Sequence, residues 1–129
     1  MAEQTSPSVL FVDDDGLNRH ALSLVLRSAG FEPREAGSGT EALRLATERP
    51  DLIVLDVSLP DVDGFEVCRR IKAHPATSAI PVLHLSGVFV SPEDRAKALE
   101  GGADAYLTKP VEPRELVAAC RALLRLHAA

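Results

Sequence analysis

The sequence predicts an α/β fold, a single doubly wound (βα)5 domain with a five-stranded parallel sheet and helices on both faces. Three observations carry this reading. Short, continuous apolar runs alternate with amphipathic segments along the chain, and continuous runs are what strands buried on both faces require. The connections are short, so strand–helix alternation leads to parallel neighbours. Acidic, hydroxyl and basic residues stand directly after several of the apolar runs, where a sheet of this class carries its site.

The elements follow in order. Residues 9–12, Val-Leu-Phe-Val, form the first strand. The helix after it places Leu17, Ala21, Leu24 and Val25 on one face, and Gly30 follows where a left-handed cap is wanted. Residues 32–36 are a weaker second strand. Ser38 and Glu41 read as a capping box opening the second helix, with Ala42, Leu43 and Ala46 on its apolar face. Residues 52–55 form the third strand, and Phe65, Cys68 and Ile71 share a face of the third helix. Residues 80–85 form the fourth strand. Ser91 then caps a fourth helix with Pro92 at its first position, and Gly101-Gly102 close it. Residues 103–107 are a weaker fifth strand. Pro113 opens the fifth helix, on which Leu116, Cys120, Leu123 and Leu124 share a face. Residues 1–7 read as a flexible N-terminal tail, 8–126 as the domain and 127–129 as its C-terminal end.

Composition narrows the function. The 129 residues are 46% hydrophobic and 26% charged, which suits one globular domain and is too apolar for a disordered chain. A net charge of −5 argues against direct nucleic-acid binding, which needs a basic face. No apolar run approaches the ~18 residues of a membrane span, and the N-terminus has no secretory pattern, so a cytoplasmic location is expected. Cys68 and Cys120 lie far apart in helical patterns and are read as reduced and structural. The four histidines show no zinc-ligand spacing with them.

The residues beyond the strand ends define the chemistry. Asp13, Asp14 and Asp15 follow the first strand, Asp56 the third, Ser86 the fourth, and Lys109 with Pro110 the fifth. The second strand offers only Gly37 and Ser38, and no chemistry is assigned there. Parallel strands gather the others at one edge. Clustered carboxylates resist joint ionisation until a cation neutralises them, and an oxygen-only donor set suits Mg2+. One carboxylate is left as a nucleophile, Lys109 supplies fixed positive charge and Ser86 a hydroxyl donor. Together they meet the needs of phosphoryl transfer through an aspartyl phosphate.

On these residues the chain resembles the response-regulator receiver domains of the CheY-like family. The resemblance is carried by Asp13-Asp14-Asp15, by residues 55–64 (Leu-Asp-Val-Ser-Leu-Pro-Asp-Val-Asp-Gly), by Leu85-Ser86-Gly87 and by residues 102–110 (Gly-Ala-Asp-Ala-Tyr-Leu-Thr-Lys-Pro). It implies strand order 2-1-3-4-5. It implies that Asp56 is the phosphoacceptor and that Mg2+, with Mn2+ as a substitute, is held by Asp13, Asp14, Asp56 and the Ser58 backbone carbonyl, Asp14 more directly than Asp13. Ser86 would bond a phosphoryl oxygen and move on phosphorylation. Lys109 would pair with Asp56 or the phosphoryl group, Tyr106 would act as a rotamer switch, and the Lys109-Pro110 bond would be cis. The implied partners are a histidine kinase or histidine phosphotransfer protein and an unknown output partner. There is room for a homodimer through the face of the fourth helix, fifth strand and fifth helix. Neither nucleic acid nor membrane is an expected direct partner. Four positions depart from the family's habit: Asp15 for Glu, Ser86 for Thr, Gly87 for Ala and Val111 for an aromatic.

Blander readings stand beside these. The Asp triple could decorate a helix N-terminus, and Tyr106 could be an ordinary strand aromatic. His84 reads as a core histidine rather than a ligand, and Val88-Phe89-Val90 as loop packing. Asp61-Val62-Asp63-Gly64 echoes a calcium loop, but Leu59 and Arg70 occupy ligand positions. Two alternative functions are a haloacid-dehalogenase-like phosphatase and a receiver-like scaffold that is never phosphorylated. The phosphatase wants Asp and Thr where Ser58 and Pro60 stand.

Overall fold

The computed structural model describes residues 6–87 and 91–127. Its strands are β1 (Ser8–Val12), β2 (Glu32–Ala36), β3 (Leu52–Asp56), β4 (Val82–Ser86) and β5 (Ala105–Thr108). Its helices are α1 (Gly16–Ser28), α2 (Gly39–Ala46), α3 (Gly64–Ala73), α4 (Pro92–Glu100) and α5 (Pro113–Leu126). All strand pairs are parallel and the order is β2-β1-β3-β4-β5, as expected. Residues 80 and 81 precede β4 and residues 103 and 104 precede β5, so both strands start two residues later than the apolar pattern suggests. The expected loop packing of Val88-Phe89-Val90, most of the N-terminal tail and the last two residues lie outside the described residues.

The continuous runs are buried as their composition demands. Every residue of β3 and β4 is buried. One core lies between the sheet and α2 and α3, around Leu10, Ile53, Leu55, Val67 and Ile71. The other lies between the sheet and α1 and α5, around Phe11, Leu26, Val54, Leu83 and Leu116. Cys68 belongs to the first and Cys120 to the second, both as free thiols. Fully burying one Leu or Ile contributes roughly 1.5–3 kcal/mol, so the two cores dominate stability.

The buried face of α1 differs from expectation. Leu17 is 88% exposed and Leu24 51% exposed, and Ala21 is exposed too. The helix buries Leu22, Ser23 and Leu26 instead. Leucines stand on all sides of this helix, so periodicity alone does not choose a face. The contact with α5 and the sheet selects the i, i+4 pair Leu22 and Leu26, and Ser23 disguises that stripe as polar.

Local signals hold at the caps. Gly30 (φ +98°) and Gly102 (φ +92°) both adopt the left-handed conformation that glycine tolerates best. Ser38 Oγ accepts from Glu41 N at 3.1 Å. Glu41 reaches back to Gly37 N at 2.8 Å, one residue earlier than in the usual box. Ser91 Oγ accepts from Asp94 N at 3.1 Å. α4 is the least anchored helix, since it buries only Ala98.

Candidate phosphoacceptor site

The carboxyl ends of β1, β3 and β5 open onto a cleft of about 530 Å3 lined by Asp13, Asp14, Asn18, Asp56, Ser58 and Lys109, among others. Asp13 is fully buried. Its Oδ1 accepts from Asp15 N at 2.9 Å and its Oδ2 from Asn18 Nδ2 at 2.6 Å. Arg19 Nη1 donates to the Asp13 carbonyl at 2.7 Å, and Arg19 Nε pairs with Glu35 of β2 at 2.9 Å. The turn carrying the first two acids is thus held from the helix and from the neighbouring strand. Asp14 is exposed at the mouth. Asp15 leaves the cluster and caps α1, accepting from Leu17 N and Asn18 N. The helix-decoration reading therefore holds for Asp15 and not for Asp13.

Asp56 ends β3 and is 1% exposed. Its Oδ1 accepts from Ser58 N at 2.9 Å, and Oδ2 is in contact with Lys109 Nζ. Burial pushes its pKa up, the charge of Asp13 adds to that, and Lys109 with the Ser58 amide opposes it. Carboxylate oxygens of Asp13, Asp14 and Asp56 lie within 4.8 Å of one another. An all-oxygen set with one exposed and two buried acids fits a hard divalent cation that retains water. Ser58 is exposed on the rim, and Lys109-Pro110 is cis.

The loop after Asp56 is shaped by a glycine. A Cβ on Gly64 would fall 2.5 Å from Val57 Cα and against the Asp56 carbonyl oxygen. Only glycine lets α3 begin this close to the backbone of Asp56 and Val57. Asp63 caps that helix through Phe65 N at 2.7 Å. Asp61 instead crosses to α2 and accepts from Gly39 N at 2.8 Å, Thr40 N at 2.9 Å and Thr40 Oγ1 at 2.6 Å. These bonds hold its carboxyl far below the usual range. The calcium-loop echo is thus two helix caps and a close approach.

Two expected residues stand back from the cleft. Ser86 is buried at the end of β4 and does not line it; its carbonyl accepts from Lys109 N. Tyr106 lies on β5 opposite His84, half-buried, with its hydroxyl enclosed. The sequence reading gives Asn18 and Arg19 no role and meets Asp61 only in the discarded calcium-loop echo. The only signals were an amide one helical turn beyond the acids and an unassigned acid in the loop.

A model of the response regulator receiver domain family matches residues 9–121. The chain belongs to that family. The receiver domain is 48% identical over 120 residues to the transcriptional regulatory protein AfsQ1 of Streptomyces coelicolor, covering 92% of this chain and 52% of that protein. It is 42% identical over 120 residues to the DNA-binding dual master transcriptional regulator RpaA of Synechocystis, covering 92% and 49%. The chain spans about half the length of these curated relatives. Among solved structures, the signal receiver domain of a histidine kinase from Syntrophus aciditrophicus superimposes with a TM-score of 0.85 at 34% identity, covering 93% of this chain and 91% of that one. Chemotaxis protein CheY4 of Vibrio cholerae gives 0.86 at 33%, covering 92% and 98%. These matches make the chain a two-component signalling domain and lend nothing to the phosphatase reading. Among the described residues no helix is long and apolar enough to cross a membrane.

Proposed function

We propose that this receiver domain takes a phosphoryl group from a phosphohistidine donor onto Asp56, and that the change at Asp56 alters how the domain engages an output partner. The observation that carries the reading is Asp56 itself, a buried carboxylate at a strand end, facing Lys109 and bounded by Asp13 and Asp14. A carboxylate oxygen attacks phosphorus in line, the P–N bond to the donor imidazole breaks, and its electron pair stays with that nitrogen. Attack by water on the acyl phosphate later returns the carboxylate and releases inorganic phosphate. Asp13, Asp14, Asp56 and the Ser58 carbonyl would hold Mg2+, which supplies charge neutralisation for the phosphoryl oxygens. Lys109 steadies the transferring oxygens from the β5 side. The Ser58 amide, already on Oδ1, fixes the carboxylate's orientation. Ser86 then moves towards the phosphoryl group and donates its hydroxyl, and Tyr106 responds to the space it leaves.

Mass spectrometry of the protein treated with acetyl phosphate tests this. The expected result is one added phosphoryl group that requires Mg2+ and is absent from Asp56→Asn. Equal labelling of the Asn variant would overturn it. Multiple turnover on a free phosphate ester would favour the phosphatase instead.

A further inference from the structure

His84 is completely buried on β4, two residues before Ser86 and therefore on the same side of the sheet. Its ring lies edge-on between Phe65 of α3 and Tyr106 of β5, at centroid separations of 5.3 and 6.2 Å. Lys97 of α4 sits 5.4 Å from the Phe65 ring centre. His84 Nδ1 is 3.3 Å from the carbonyl oxygen of Leu55. A carbonyl only accepts, so Nδ1 carries the proton. Burial pulls the pKa of this ring down, which leaves it neutral at neutral pH and Nε2 a bare lone pair.

That lone pair has no hydrogen-bond partner among the described residues. Neither has the buried hydroxyl of Tyr106, directly opposite in the strand register. The third such atom, Ser23 Oγ, belongs to α1 on the other side of the sheet. An acceptor without a donor therefore neighbours a donor without an acceptor, and burial makes both omissions costly. The mismatch occurs in the state where Lys109 still pairs with Asp56.

We propose that His84 is a positioning residue for the switch: its Nε2 accepts a hydrogen bond from the Tyr106 hydroxyl, directly or through one water, once Ser86 moves towards a loaded Asp56. The bond completes a chain from the Leu55 carbonyl, one residue before the acceptor, through the imidazole to the edge strand. It gives β5 a second tie to the acceptor strand, made after the Ser86 step and dependent on it. It rests on the reading of Asp56 as acceptor and Tyr106 as reporter.

The test is 15N NMR of histidine-labelled protein, free and loaded with Mg2+ and beryllofluoride, for the wild type and Tyr106→Phe. The His84 Nε2 resonance should move upfield on loading in the wild type and stay in place in the Phe variant. By amide shifts, Tyr106→Phe and His84→Leu should each lower the switched-to-resting ratio of the loaded protein about tenfold, and the double variant no further. His84→Gln, which can present an oxygen in place of Nε2, should retain more of the switch than His84→Leu. A loaded wild type whose Nε2 does not move overturns the inference. So does an Nε2 already hydrogen-bonded in the free protein, or one that moves equally in Tyr106→Phe. A wild type that takes no beryllofluoride overturns the acceptor reading, and this inference with it.

Discussion

Replacing Asp56 by Asn should raise the stability of the metal-free protein at neutral pH. Two unit charges at the 4.8 Å limit of the Asp13, Asp14 and Asp56 cluster repel by about 3.5 kcal/mol at an effective dielectric of about 20. Buried Asp13 keeps that repulsion. Exposed Asp14 contributes closer to the about 1 kcal/mol of bulk water. Lys109 returns about 4 kcal/mol at the same dielectric, less whatever its 29% exposed side chain loses to solvent. These terms nearly cancel, and the dehydration of a 1% exposed carboxylate decides the sign. That is why the pKa of Asp56 stands above its ordinary value. The expected gain is about 1–3 kcal/mol, or roughly 3–12 °C in Tm for a chain of this size. A carboxyl with a raised folded pKa contributes stability below its unfolded value of about 4 and loses it as pH rises through the folded value. Variant and wild type should therefore converge in acid and separate towards neutral pH. At a hundredfold excess over Kd, Mg2+ should restore about 2.7 kcal/mol to the wild type and less to the variant. Thermal unfolding in chelator across pH, then with Mg2+, measures all of this. A variant melting at or below the wild type at neutral pH without metal refutes the reasoning and makes the Lys109 pair dominant.

Gly64→Ala should cost about 1–3 kcal/mol, because the new methyl meets the backbone of Asp56 and Val57; an unchanged Tm, or undiminished phosphoryl labelling, would contradict the close-approach argument. Calorimetric titration should show Asp14→Ala weakening Mg2+ binding about tenfold or more. Asp15→Ala should leave that affinity nearly intact and lose about 1 kcal/mol of helix capping; the reverse pattern would move the metal assignment one residue along. Burial pushes the Cys68 and Cys120 thiols up to about 11 and about 12. Alkylation at neutral pH should therefore wait for unfolding, and fast labelling of the native protein would show that the helices open more readily than their packing suggests.

The sheet was legible because β3 and β4 are buried on both faces, and such strands advertise themselves as unbroken apolar runs. β5 was fainter because it is an edge strand, short and half-buried. Asp13, Asp14, Asp56 and Lys109 were legible because each stands at a strand end, where topology alone brings them together. Asn18, Arg19 and Asp61 act across elements, through side-chain reach and loop proximity that no linear spacing encodes. The inner face of α1, Leu22, Ser23 and Leu26, escapes periodicity for a related reason. Its leucines surround the axis, and only the neighbouring α5 and sheet choose among them. The core reading of His84 holds for its burial and for Nδ1, but not for Nε2.

The attachments of the loop beyond Asp56 give the domain a mechanical direction. Its far end is fastened twice, where Gly64 presses on the backbone of Asp56 and Val57 and where Asp61 grips the start of α2. On the other flank, a methyl at Gly87 would meet nothing within 4 Å among the described residues, and α4 buries a single alanine. One side of Asp56 is a wall and the other a loose panel. On the proposed function, a push delivered at Asp56 should be absorbed towards α4 and β5, where the packing is thinnest.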